Sequence, residues 1–253
     1  MSACRGSKFW RWFVALAMCL AGHAQLSLAA GQQNILQLPG VSVKGESTPI
    51  TIILLLTFLT LLPAILLSMT PFVRILIIFH FLRQALGTQT APTNQTLIGL
   101  ALFLTYFLMQ PVIGAVQKEA LAPYEHGKLT ALQALERSAS PMRTFMLSYT
   151  REKDLALFLE MSKQPRPAKP EDLSMSIVIP AYVISELKTG FQIGAVLFLP
   201  FLVIDLVTAS VTTSVGMFQL PPVVISTPLK ILLFVVVDGW NLVIGSLLRS
   251  FHV

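Results

Sequence analysis

Four long apolar segments punctuate the chain, at about 49–69, 97–116, 189–215 and 223–248. The first lies in an uncharged stretch from Ser47 to Val73, the second in one from Gln84 to Gln117. Both are long enough to cross a bilayer core, which takes about 20 apolar residues in a helix. Between the second and third segments the pattern changes. Residues 117–172 hold 17 of the 30 charged residues, nine basic and eight acidic. Glu, Lys, Leu and Ala dominate this region and favour helix. Leu129, Leu132 and Leu135, then Leu155, Phe158 and Leu159, recur at helical spacing. The pattern predicts two or three short amphipathic helices in water, closed by a stiff linker at Pro165, Pro167 and Pro170. The expected fold is therefore all-α, with four long hydrophobic, Pro-broken helices in hairpins and a small charged helical insert.

The first 29 residues have the pattern of a secretory signal peptide. Arg5, Lys8 and Arg11 precede an apolar run from Trp12 to Ala21, and Ser27-Leu28-Ala29 offers small residues for cleavage. The expected organisation is a signal peptide at 1–29, a linker at 30–48, a first hydrophobic helical hairpin at 49–116, a charged helical region at 117–176 and a second hairpin at 177–253. A secretory signal sends the first segment inward. The 70–96 connection, with Arg74 and Arg83 and no acid, then faces the cytoplasm in accord with the positive-inside bias. The charged region falls on the opposite, periplasmic side.

The last two segments carry ionisable groups at membrane depth: Asp205 in the third, Lys230 and Asp238 in the fourth. Each central charge costs about 2.5–3.5 kcal/mol on insertion scales, so these groups are expected to face protein and to pair. Lys230 has Glu186 and Asp205 as its best candidate partners. Pro63, Pro111 and Pro200 lie inside the first three segments, and Pro221, Pro222 and Pro228 crowd the fourth. Each removes a backbone donor and is expected to kink or break its helix. Gly190 and Gly194 form a GxxxG pair that allows close helix approach. The uncharged sequence Gly216-Met217-Phe218-Gln219-Leu220-Pro221-Pro222 joins segments three and four. It reads either as a buried hairpin tip or as a pore-lining closure loop of flexible apolar side chains.

Composition agrees with a membrane protein. The chain of 253 residues is 54% hydrophobic and 12% charged, with mean hydropathy +0.72. Soluble domains carry about 25% charged residues. Without its first eleven residues the chain has 15 basic against 12 acidic groups. No basic cluster with interleaved aromatics appears, so nucleic acid is not an expected partner. Both cysteines, Cys4 and Cys19, fall in the signal segment. No HExxH, GxSxG, Walker A or GxGxxG motif is present, and the histidines are dispersed. Neither catalysis, a metal nor a cofactor is expected. A small secondary transporter using the buried Asp and Lys sites is the alternative class, though the segments show no internal repeat.

Several stretches in order resemble the FliP family, the flagellar relatives of the type III secretion export-gate subunits. They are Met69-Thr70-Pro71-Phe72-Val73-Arg74-Ile75, Leu82 through Thr88, Ala91 through Gln95, Glu186 through Gly194, Leu199 through Val207, Pro228-Leu229-Lys230 and Val237 through Trp240. The match covers about 50–253. The resemblance implies a homopentamer joined to FliQ and FliR in a helical gate at the flagellar basal body, near FlhA and FlhB, passing unfolded flagellar subunits. It implies buried, paired charges at Glu186, Asp205, Lys230 and Asp238. It assigns Phe145 and Phe158 to subunit association, to which Gly190 and Gly194 are added here. It also makes Met217, Phe218, Gln219 and Leu220 a constriction loop. The family's loop is richer in methionine, so Phe218 and Leu220 are expected to share the seal.

Overall fold

The computed structural model describes residues 48–88, 90–163, 169–217, 219 and 221–251. The signal segment and, save for Thr48, the linker lie outside the described residues. The chain divides into two units between Ile52 and Ile53, and the unit Ile53–Val253 holds the helical packing.

The described residues fold as helices. α1 is Thr48–Ser68, α2 Phe72–Ala85, α3 Asn94–Val116, α4 Ala131–Tyr149, α5 Glu152–Ser162, α6 Met175–Ser214, α7 Pro222–Val236 and α8 Gly239–Arg249. α3 continues through a π-helical turn, Gln117–Leu121, and a short turn, Ala122–Glu125. Side-chain caps start several of them. Thr93 accepts from the Thr96 N–H, Ser174 accepts from the Ser176 N–H, and Thr130 forms a capping box with Gln133.

Among the described residues, two helices are long and apolar enough to cross a membrane: Asn94–Glu125 and the 40-residue α6. Two bent pairs meet the same test together. α1 and α2 meet at 74°, and α7 and α8 at 67°. The breaks do not fall at the prolines inside the apolar segments. Pro63, Pro111, Pro180, Pro200 and Pro228 all lie within continuous helix. The chain breaks instead at Met69-Thr70-Pro71, where Pro71 caps α2, and at Asp238, whose left-handed backbone (φ 52°) ends one helix and begins the next. A proline within a long helix forfeits one hydrogen bond, whereas a turn needs a change of backbone conformation over several residues.

α2 is the centre of the packing. It lies along α6 and also against α3, so α3 has α2 rather than α1 as its hairpin partner. Ile75, Ile78 and Phe79 of α2 pack with Leu97, Ala101, Leu104 and Leu108 of α3, and Leu247 and Phe251 close this cluster. Leu82, Ala85 and Leu86 pack with Phe201 and Phe234. A third cluster seats the charged insert through Met146, Leu173, Val178 and Tyr182. By contrast, α1 leaves Ile53, Leu56, Phe58 and Leu59 more than half exposed, and Val235 and Val236 of α7 are equally bare. Apolar surface on that scale requires lipid or neighbouring helices to cover it.

Candidate functional site

The segment Ser185–Gly194 of α6 holds together three parts of the molecule. On one face stand Glu186, Gly190 and Gly194, each four residues from the next. They meet Arg74, Ile77 and Phe81 of α2 in order, so the two helices run side by side in the same direction. Arg74 Nε donates to Glu186 Oε2 at 2.8 Å, and a second guanidinium nitrogen donates to Oε1. The bidentate pair is sealed, with the two side chains 3% and 0% exposed. A Cβ added at Gly194 would lie 2.6 Å from Cγ of Phe81, and one at Gly190 3.2 Å from Cγ2 of Ile77. Both glycines are thus used inside the chain. Their assignment to subunit association is corrected to an internal contact, because α2 already fills the groove they make.

The neighbouring face of the same stretch receives the insert. Asp154, 2% exposed, pairs with Lys188 and accepts from Ser185 Oγ at 2.9 Å. The Arg151 backbone N–H donates to Ser185 Oγ at 3.0 Å. Its guanidinium reaches Thr189 Oγ1 at 3.2 Å and Gln192 Oε1 at 2.5 Å. Burial raises the Asp154 pKa, but the hydrogen bonds from Lys188 and Ser185 and the charges of Lys188 and Arg151 outweigh it. The carboxyl sits below its ordinary value.

A third ion pair joins α6 to α7. Lys230 Nζ lies 2.5 Å from Asp205 Oδ2, with the side chains 5% and 34% exposed. Of its two candidate partners, Lys230 therefore has Asp205, while Glu186 belongs to Arg74. Asp238 departs from the expectation of a buried charge. It is exposed at the break between α7 and α8, where its carboxylate accepts from Asn241 at 3.2 Å.

Phe145 is half-buried. Its ring lies 5.0 Å from that of Tyr149 and 6.2 Å from that of Tyr182, so it seats the insert on α6. Phe158 is half-buried on α5. In the loop, Met217 and Gln219 are exposed, while Phe218 and Leu220 lie outside the described residues. Sequence reasoning used Arg74 only as an orientation signal and missed its structural part. A single cation in the run Phe72–Phe81, otherwise apolar but for His80, was the available sign that an acid must meet it.

The FliP family model matches residues 55–247. The chain is 51% identical over 223 residues to the flagellar biosynthetic protein FliP of Pectobacterium carotovorum, covering 85% of this chain and 86% of that one. It is 50% identical over 208 residues to that of Bacillus subtilis, covering 82% and 94%. To that of Cereibacter sphaeroides it is 46% identical over 245 residues, covering 92% and 80%. The match runs through α2, the Ser185–Gly194 stretch of α6 and the Asp205–Lys230 pair, and on this ground the chain belongs to the FliP family.

Proposed function

We propose that this protein is a core, non-enzymatic subunit of the flagellar type III protein export gate, forming part of the channel through which unfolded flagellar proteins leave the cell. The observation that carries the reading is the family match over 55–247, with relatives named flagellar biosynthetic proteins. The physical features fit it. The apolar faces of α1, α6 and α7 are bare and suit an assembly of packed helices. Lys230 and Asp205, within the apolar segments, pair with each other inside the chain, and Glu186, just before the third segment, is held by Arg74. They then brace the subunit rather than carry a solute, and this disfavours the transporter alternative.

The finer reading is a homopentamer with FliQ and FliR in the bacterial inner membrane, next to FlhA and FlhB. The 117–172 region faces the periplasm, and Met217–Leu220 lines the constriction. Purification of the tagged full chain from its own membranes in mild detergent tests this reading. Native mass measurement should find five copies with two kinds of small apolar membrane protein. A monodisperse complex holding only this chain in another copy number would refute it.

A further inference from the structure

A set of interlocked contacts gathers on two residues just after α8, Ser250 and Phe251. Phe251 is 2% exposed. Its ring lies under the Arg74 guanidinium, 3.9 Å from carbon to centroid, and packs edge-on to Tyr149 at 5.3 Å. Its carbonyl accepts from the Tyr149 hydroxyl at 2.5 Å. Ser250 Oγ accepts from the third guanidinium nitrogen at 3.2 Å and donates to the Leu247 carbonyl at 2.6 Å. Arg74 thereby spends Nε and Nη2 on Glu186 and Nη1 on Ser250, while its flat face rests on an aromatic ring.

Tyr149 is the last residue of α4, and two residues later Arg151 opens the polar contacts that hold α5 to α6. Burial pushes the Tyr149 phenol up, against a lowering by Arg74, so the hydroxyl stays protonated and able to donate. The contacts thus form one path. It runs from the end of the last bent helix pair, through Phe251 and Tyr149, to the hinge of the charged insert, with the Arg74–Glu186 pair beneath it.

We propose that Ser250–Phe251 is a latch that couples the last bent helix pair to the charged insert. When Phe251 is seated, Tyr149 is fixed, the Arg151–Asp154 contacts hold, and the Arg74–Glu186 pair is dry. When it lifts, the insert loses its hinge anchor while α2 and α6 stay packed through Gly190 and Gly194. The insert's docking therefore responds to the state of a helix pair that is distant in sequence.

The test is trypsin cleavage after Lys153 in the purified full chain under native conditions, where the rate follows the open population. Phe251→Ala should raise that rate about tenfold or more. Tyr149→Phe, which removes only the hydroxyl bond, should raise it about fivefold, the value of one net hydrogen bond. The double variant should be little faster than Phe251→Ala alone, because both act on one contact. Trp240→Ala disturbs α8 through Phe79 and Phe234 without touching Tyr149, so it should raise the rate through the coupling alone, by a smaller factor than Phe251→Ala. Two results would overturn the proposal. One is a Trp240→Ala rate equal to that of the parent. The other is a Tyr149→Phe rate equal to that of the parent.

Discussion

Replacing Glu186 by Ala should be the most damaging single change at the helix rail. The substitution strands the Arg74 guanidinium, whose side chain is 3% exposed, with Ser250 as its one remaining hydrogen-bond partner. Removing one partner of a buried pair costs about 3–5 kcal/mol. At 1.4 kcal/mol per factor of ten, that multiplies the unfolded or unassembled fraction by two to three and a half powers of ten. Of a typical margin of about 5–15 kcal/mol, that takes from about a fifth to the whole. Asp205→Ala should cost less, because Asp205 is 34% exposed against 0% for Glu186, so its pair is less fully desolvated. The double variant Arg74→Met with Glu186→Leu should recover most of the loss, since apolar replacement of both partners of a buried pair is often neutral. Yield of folded chain and midpoint of thermal unfolding in detergent measure all four proteins together. The reasoning fails if Asp205→Ala is as damaging as Glu186→Ala, or if the double variant is worse than either single change.

Docking of the insert should be insensitive to mild acid. Asp154 sits below its ordinary value of 3.8 when folded, so its contribution is present above that value and lost only as pH falls through the lower folded one. Proteolysis of 150–163 should therefore match at pH 7 and pH 5, and opening by pH 5 would contradict the pairing with Lys188. Gly194→Leu should separate α2 from α6, because even a Cβ there meets the Phe81 ring at 2.6 Å. Gly190→Ala should be milder, at about 1 kcal/mol, because the Ile77 methyl can give way; equal thermal shifts would argue against the close crossing. Met217→Ala with Phe218→Ala should preserve complex yield and increase ion conductance across the membrane, as widening a hydrophobic constriction would. Lost yield without leak would instead identify a structural tip.

Much of the fold could be read from hydrophobic spacing, and the exceptions have physical causes. The apolar runs at 49–69 and 97–116 correspond closely to α1 and α3. The third apolar run starts near 189, whereas α6 begins at Met175. The charged stretch Glu186-Leu187-Lys188 looks like a connection, yet each charge has a partner waiting on another helix. The breaks were misplaced because proline was weighed above turn conformation. Asp238, a non-glycine residue at φ 52°, marks one break, and no apolar count would find it. Partner choice depended on distance along α6. Nineteen residues separate Glu186 from Asp205, about 28 Å at 1.5 Å per residue, so Lys230 could reach one and not both. Arg74 and Phe251 were missed for a common reason: the contacts that join them span 176 residues or more of sequence.

The central claim, that the chain forms part of a flagellar protein export channel, is tested most directly by secretion itself. The chromosomal copy is deleted, and the full chain or its Glu186→Ala variant is supplied from a plasmid. Flagellar filament subunit is then quantified in the medium and in the cells. Deletion should abolish secretion while the subunit persists inside the cell. Secretion is restored by the full chain and stays low with Glu186→Ala. Undiminished secretion in the deletion strain would contradict the account.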